Sequence, residues 1–176
     1  MIEWFGTETG RKIFAKFGLK ETLYHFCEEC SELYAEICHY DIRSDRDSDN
    51  AKAQEEIADV LILLDDLWLY IGDDVELLYK NFISYREGEK DPKQYTKELL
   101  YYLARCIYLV TVELEFYDDT EQDNDDDVLD SDTHESIAEM IYFLEQYKKA
   151  HETGFDEVFK LKLQKRALRL NVSVQA

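Results

Sequence analysis

Apolar residues recur at intervals of three and four along most of this chain, in runs much longer than a typical β-strand. In one run, Leu23, Phe26, Leu33 and Ile37 form a stripe that would lie on one face of an α-helix. The chain has only one proline and six glycines, so few residues would interrupt such helices. We therefore expect an all-α fold and, at 176 residues, a single domain over the whole chain.

Glycine, proline and polar clusters divide these runs into helices. A weak first segment ends near Gly18, with Phe5, Ile13, Phe14 and Phe17 as expected core residues. Gly72 and the two aspartates after it predict a helix stop followed by a new start. The expected helices cover residues 2–16, 19–40, 51–72, 73–87, 93–117, 133–150 and 155–170.

Acidic residues outnumber basic residues by 40 to 20, which gives a formal net charge of −20. Nucleic acids and anionic membranes bind positively charged surfaces, so this balance argues against both as partners. No stretch approaches the length of a membrane span, and the first residues lack the basic and apolar regions of a signal peptide. We expect a cytoplasmic protein that favours cations, with much of its charge in two solvated loops at residues 41–50 and 118–132.

Three of the four cysteines, Cys27, Cys30 and Cys38, fall within one predicted helix, and the fourth is Cys106. Cys27 and Cys30 form a Cys-x-x-Cys pattern that would suit zinc or redox chemistry. Because these residues share a helix and Cys30 falls on its apolar stripe, we prefer buried or half-buried free thiols.

The second half of the chain repeats the first. Residues 20–41 align with residues 97–118 without a gap, residues 55–64 align with 135–144, and residues 72–80 align with 154–162. The offset changes only in predicted loops, which favours an internal duplication over chance similarity between helices. The acidic positions differ, since Glu28, Glu29, Glu32, Glu56 and Asp59 align with Arg105, Cys106, Leu109, Ser136 and Glu139.

These acidic positions form two short motifs in the first half. Residues three apart lie on one flank of a helix, so Glu29 pairs with Glu32, and Glu56 pairs with Asp59. If the two helices are antiparallel neighbours, four carboxylates converge on one point, where protonation or a cation must relieve their repulsion. An all-oxygen set suits Mg²⁺ or Mn²⁺.

In these motifs the chain resembles the MazG-like, all-α nucleoside triphosphate pyrophosphohydrolase superfamily. The family pattern is Glu-Glu-x-x-Glu, present here at residues 28–32, followed by Glu-x-x-Asp at residues 56–59 and an apolar run. The resemblance covers residues 13–86 and extends faintly, through the repeat, to the C-terminus. It implies a helical bundle in which residues 1–90 carry intact acidic motifs and residues 91–176 are a degenerate copy.

The resemblance also implies an activity. An Mg²⁺-dependent enzyme of this kind cleaves a (d)NTP between the α and β phosphates and releases the monophosphate and pyrophosphate. By family match, Glu29, Glu32, Glu56 and Asp59 would bind the metal, and Glu28 would orient water or a ligand. Glu28 and Glu29 are the expected catalytic residues, and the general base could be any of the five acids. Basic residues on the following helix would hold the phosphates: Lys80 in the first half, and Lys162, Lys165, Arg166 and Arg169 in the second.

Several alternatives remain open at this stage. The basic residues 160–169 are equally consistent with a solvated helix face near a negative helix end. The chain could be a monomeric pseudo-dimer with one site, or a homo-oligomer. Its function could also be that of a noncatalytic acidic bundle that engages a basic protein, or of a phosphoribosyl-ATP type of pyrophosphohydrolase.

Overall fold

The computed structural model describes residues 5–39, 47–85, 92–116, 129–150 and 155–169. Within these residues the protein has five α-helices and no strand, which confirms the all-α prediction. They are α1 (Glu8–Ile37), α2 (Asp47–Tyr85), α3 (Pro92–Phe116), α4 (Ser131–Ala150) and α5 (Phe155–Arg169). In the part described, none is long and apolar enough to cross a membrane.

The first helix begins later than its sequence pattern predicted, because Thr7 caps it. The Thr7 side chain accepts a hydrogen bond of 3.0 Å from the backbone N–H of Gly10. Thr7 also donates two hydrogen bonds to Asp65 of α2, one from its backbone N–H at 2.8 Å and one from its hydroxyl at 2.5 Å. Asp65 therefore fixes where the two helices meet.

Gly18 divides α1, as expected. Its backbone adopts φ 78° and ψ 174° within the otherwise helical segment, a conformation that favours glycine. Of the expected core residues around it, Ile13 is fully buried and Phe14 is half-buried. Phe17 is 36% exposed, so its assignment to the core was wrong.

The predicted helix stop at Gly72 was also wrong, because α2 continues without a break to Tyr85. Gly72 is buried, and a Cβ atom there would lie 2.7 Å from the Trp68 indole. Trp68 in turn packs against Phe5, with 4.7 Å between ring centroids. Gly72 thus provides space for a neighbouring side chain, and nothing there ends the helix.

The helices pair as two hairpins that pack side by side. α1 packs along α2 and α3 along α4, while α1 also contacts α3 and α2 contacts α4. α5 packs against α2, which brings the end of the second half onto the first. The predicted stripe on α1 is fully buried in the resulting core, as expected for Leu23, Phe26, Cys30, Leu33 and Ile37.

The cysteines are free thiols, as predicted. Cys30 and Cys106 are fully buried, and Cys27 and Cys38 are half-buried. Burial raises the pKa of the Cys27 thiol to about 11 and that of Cys106 to about 12. A protonated thiol is a poor nucleophile and a poor metal ligand, which favours packing over redox or zinc chemistry.

Candidate active site

Three of the four predicted metal ligands meet where α1 crosses α2. One carboxylate oxygen from each of Glu29, Glu32 and Glu56 lies within 4.8 Å of the others. Glu29 and Glu56 are half-buried and Glu32 is exposed. The spacing of three along α1 gives Glu29 and Glu32 a common flank, as the sequence predicted, and the α1–α2 pairing brings Glu56 to that flank.

The negative charges of the cluster repel one another, which is seen in the pKa values of its members. Burial raises the pKa of Glu29 to about 7, assisted by the charges of Asp59, Glu32 and Glu56 and opposed by Lys162. Burial also raises the pKa of Glu56, and here Lys162 is the strongest opposing influence. Near neutral pH, the proton on Glu29 competes with any cation that binds the cluster.

The fourth predicted ligand, Asp59, lies beside this cluster and already has a cation. Its Oδ2 atom accepts a hydrogen bond from Lys162 Nζ of α5, and the two side chains form an ion pair. Both side chains are largely buried, at 26% and 21% exposure. A residue of the second half therefore neutralises part of the acidic site in the first half.

A cavity of about 450 Å³ opens over this contact. It is lined by acids of α1 and α2 together with cations of α5. Its lining residues are Phe17, His25, Glu29, Asp59, Lys162, Lys165 and Arg166. A cleft of this size, lined by both carboxylates and cations, suits a phosphorylated small molecule.

Four predicted site residues do not line this cavity: Glu32 and Glu56 of the carboxylate cluster, and Glu28 and Lys80. Glu28 is exposed, and its carboxylate lies 3.3 Å from His25 Nδ1. Lys80 is exposed and forms an ion pair with Glu76 on its own helix. The α5 backbone reaches Arg169, but the Arg169 side chain lies outside the described residues.

Arg166 links the cavity to a buried acid that its sequence pattern did not mark as functional. Its Nη2 atom lies 2.7 Å from Asp66 Oδ2, and the Asp66 side chain is 0% exposed. Burial raises the pKa of Asp66 to about 7. The charge of Arg166 acts against this rise, and the charge of Asp65 adds to it. Asp66 occurs in an apolar helical run, and its partner is on another helix, so no local pattern connects them.

The aligned positions in the second half contain a much less polar contact. Cys106 and Ser136, which align with Glu29 and Glu56, are both buried, with their Sγ and Oγ atoms 3.3 Å apart. The α3–α4 hairpin thus brings together the same pair of positions as the α1–α2 hairpin. It does so without the two carboxylates.

The acids that remain at this second location are neutralised by an arginine. Arg105, which aligns with Glu28, lies 3.3 Å from Glu139 through Nη1 and 3.9 Å from Glu135 through Nη2. Glu139 aligns with Asp59 and is 12% exposed at its side chain. Here a protein cation occupies the region that a metal would occupy in the first half.

The chemistry of the first cluster fits a small divalent cation. Ligand oxygens at about 2.0–2.1 Å from Mg²⁺ lie roughly 3–4 Å apart, so side-chain movements of about 1 Å would bring the three carboxylates into range. All the donors are carboxylate oxygens, which Mg²⁺ and Mn²⁺ prefer.

Comparisons with protein-family models, with curated proteins and with solved structures found no match to this chain.

Proposed function

We propose that this protein is an Mg²⁺-dependent nucleoside triphosphate pyrophosphohydrolase that converts a (d)NTP to a (d)NMP and pyrophosphate. The observation that carries the proposal is the cavity whose lining combines Glu29 and Asp59 with Lys162, Lys165 and Arg166. A triphosphate needs a metal beside its bridging oxygens and cations around its terminal oxygens. This cavity offers a group of side chains suited to each need.

Different side chains would bind the metal, the phosphates and the nucleobase. Glu29, Glu32, Glu56 and Asp59 would hold the metal, which when bound supplies charge neutralisation at the phosphate oxygens. Lys165 and Arg166, which line the same cavity, would bind phosphate oxygens, and Lys162 would join them on leaving Asp59. Phe17 offers an aromatic ring at the edge of the cavity that can stack against a nucleobase.

An internal duplication accounts for how one chain builds this site. In this proposal the first half supplies the MazG-like acids and the second half supplies the cations of α5. The second copy lacks most of these acids, and Arg105 neutralises the two that remain, Glu135 and Glu139. The result is a pseudo-dimer with a single site, in which residues 91–176 serve as the partner of residues 1–90.

The direct test offers purified protein with Mg²⁺ each NTP and dNTP and measures pyrophosphate and orthophosphate separately. We expect pyrophosphate and no early orthophosphate. Glu56→Gln should lower kcat/KM by about 100-fold or more, since residues that merely support metal ligands are worth about 10- to 100-fold. Glu55→Gln is the matched control, because Glu55 is the exposed neighbour on the same helix.

Failure of that assay would favour a different class of function. The net charge of −20 and the Lys162–Asp59 ion pair suit a noncatalytic bundle that binds a basic protein. No pyrophosphate from any nucleotide, including phosphoribosyl-ATP, would support that alternative. An equal decrease in kcat/KM for the Glu55→Gln and Glu56→Gln variants would also contradict the assigned site.

A further inference from the structure

Asp66 is a buried carboxylate, and the loss of its hydration destabilises the folded protein. It lies on α2 within the core, at 0% exposure, and neither of its oxygens has a hydrogen-bond partner among the described residues. Arg166 Nη2 lies 2.7 Å from Oδ2, which is a close ionic contact although its angles do not satisfy a hydrogen bond. Buried ion pairs with so little hydrogen bonding add little to folding, because desolvation offsets their attraction.

The preceding residue shows what a structural buried aspartate looks like in this protein. Asp65 accepts two hydrogen bonds from Thr7 and thereby anchors the start of α1. Asp66 has no such role in a helix start or a turn. Continuing the alignment of the two halves places the uncharged Gln146 at the equivalent position of α4, so the helical frame does not require an acid there.

The partner of Asp66 connects the core with the cavity. Arg166 is 25% exposed at its side chain and lines the cavity beside Lys165. A guanidinium has five N–H donors in a fixed plane, so it can contact a carboxylate and still present donors to a phosphate. A free arginine side chain has many rotamers, and one held by a buried acid has few.

We propose that Asp66 is a positioning residue that holds the Arg166 guanidinium toward the cavity, where it binds phosphate oxygens of the polyphosphate chain. This inference rests on the proposed function for the identity of the ligand. It assigns the buried charge to substrate binding and gives it no part in folding. Asp66 itself touches no substrate.

The expected size of the effect follows from the freedom that Arg166 would regain. Immobilising one rotamer-rich side chain on binding weakens affinity by roughly 2- to 12-fold, and a pre-positioned side chain avoids that loss. Asp66→Asn keeps the shape of the residue and removes its charge. We therefore expect this variant to bind polyphosphate about 3- to 10-fold more weakly.

Two measurements test the proposal on the full chain with Mg²⁺. Calorimetry with inorganic tripolyphosphate reports phosphate binding directly, and steady-state kinetics with a nucleotide separate KM from kcat. Asp66→Asn should weaken tripolyphosphate binding and raise KM while kcat stays within about twofold, as expected for lost ground-state binding. The melting temperature should change little, because the desolvation of the buried carboxylate is relieved and Arg166, which is 25% exposed and lines the cavity, can be solvated when it loses its partner.

Asp65→Asn provides the matched control. It alters the adjacent buried acid, so it should lower the melting temperature and leave tripolyphosphate affinity unchanged. Arg166→Lys keeps the charge without the planar fork and should weaken binding as Asp66→Asn does. In the Arg166→Gln background, Asp66→Asn should have no further effect on affinity, because the side chain it positions is gone.

Two results would overturn the inference. One is a lower melting temperature for Asp66→Asn with unchanged or tighter tripolyphosphate binding. The other is additive losses of affinity for Asp66→Asn and Arg166→Gln. If the wild-type protein binds tripolyphosphate through both residues yet hydrolyses no nucleotide, the positioning role stands and the proposed reaction fails.

Discussion

At the scale of single residues, Glu29 and Asp66 are the two acids whose protonation the fold changes most clearly. Burial raises the pKa of each to about 7, and nearby acids add to the effect. Both carboxyl groups would have ordinary pKa values near 4 in the unfolded chain. The folded protein therefore holds protons that the unfolded chain has already released.

This difference predicts how stability depends on pH. Between about pH 4 and pH 7 the folded state binds more protons, so the free energy of unfolding should fall as pH rises and level off above pH 7. We expect a decrease of about 2 kcal/mol from the two groups together, well below the full effect of the shifts because solvent screens half-exposed Glu29. Added Mg²⁺ should restore stability most strongly above pH 7, where Glu29 is ionised.

Urea unfolding from pH 4.5 to 8 checks this prediction. Glu29→Gln and Asp66→Asn should each flatten the slope relative to the wild-type protein, and their double variant should flatten it further. Glu28→Gln serves as the control because Glu28 is an exposed neighbour. If both single variants leave the slope of unfolding free energy against pH unchanged, these two carboxyl groups do not cause the pH dependence.

The sequence predicted the acids of the site better than their partners. Spacings of three placed Glu29 with Glu32 on one flank, a purely local property of a helix. Asp59 was expected to join them, but it pairs with Lys162 in the structure. The Asp66–Arg166 pair was not predicted, because it depends on how α5 packs onto α2, and no helical period encodes that packing.

At the scale of elements, the packing of α1 on α2 depends on close approach at Gly10. A Cβ atom at this buried position would lie 2.6 Å from Asp65 Oδ2 and 2.7 Å from the Asp65 backbone oxygen. The same carboxylate holds Thr7 at the start of α1. Packing and capping are therefore coupled at one point between the two helices.

Gly10→Ala should destabilise the protein by about 3 kcal/mol, the upper end for overpacking, because a backbone atom cannot move aside as a flexible side chain can. Gly18→Ala is the comparison, since its Cβ would meet nothing within 4 Å and only its φ of 78° is unfavourable. The free energy of unfolding of that variant should fall by about 1–3 kcal/mol, because φ 78° with ψ 174° is a backbone conformation that almost only glycine adopts. Thermal and urea unfolding measure both variants, and a loss below about 1 kcal/mol for Gly10→Ala would contradict the coupling.

Helix positions were more predictable than helix continuity. The apolar stripe on α1 and the extents of α3, α4 and α5 follow from periodicity and from capping residues, which act within a few positions. The break expected at Gly72 did not occur, because that glycine accommodates Trp68. A glycine in a sequence signals a special backbone or a close neighbour, and only the packed structure decides between them.

At the scale of the whole molecule, the arrangement of helices is what the proposed duplication requires. Each half contributes a hairpin, and α1–α3 and α2–α4 contacts join the hairpins through equivalent helices. α5 then extends from the second half to the acids of the first. The acids and cations that line the cavity thus come from different halves of one chain, so the proposed site would not need a second copy.

A mixing experiment can establish whether one chain is sufficient. One variant carries Glu56→Gln, and the other carries Lys162→Gln, Lys165→Gln and Arg166→Gln, so each lacks one side of the site. If every site forms within a chain, the two variants refolded together should hydrolyse no more nucleotide than they do separately. If α5 instead docks on a partner chain in a dimer, a 1:1 mixture should recover about a quarter of wild-type activity, because half the dimers would each hold one intact site.

Sedimentation provides a second check on the pseudo-dimer. At assay concentration the wild-type protein should sediment with the mass of a single chain. Specific activity that falls on dilution would contradict the pseudo-dimer.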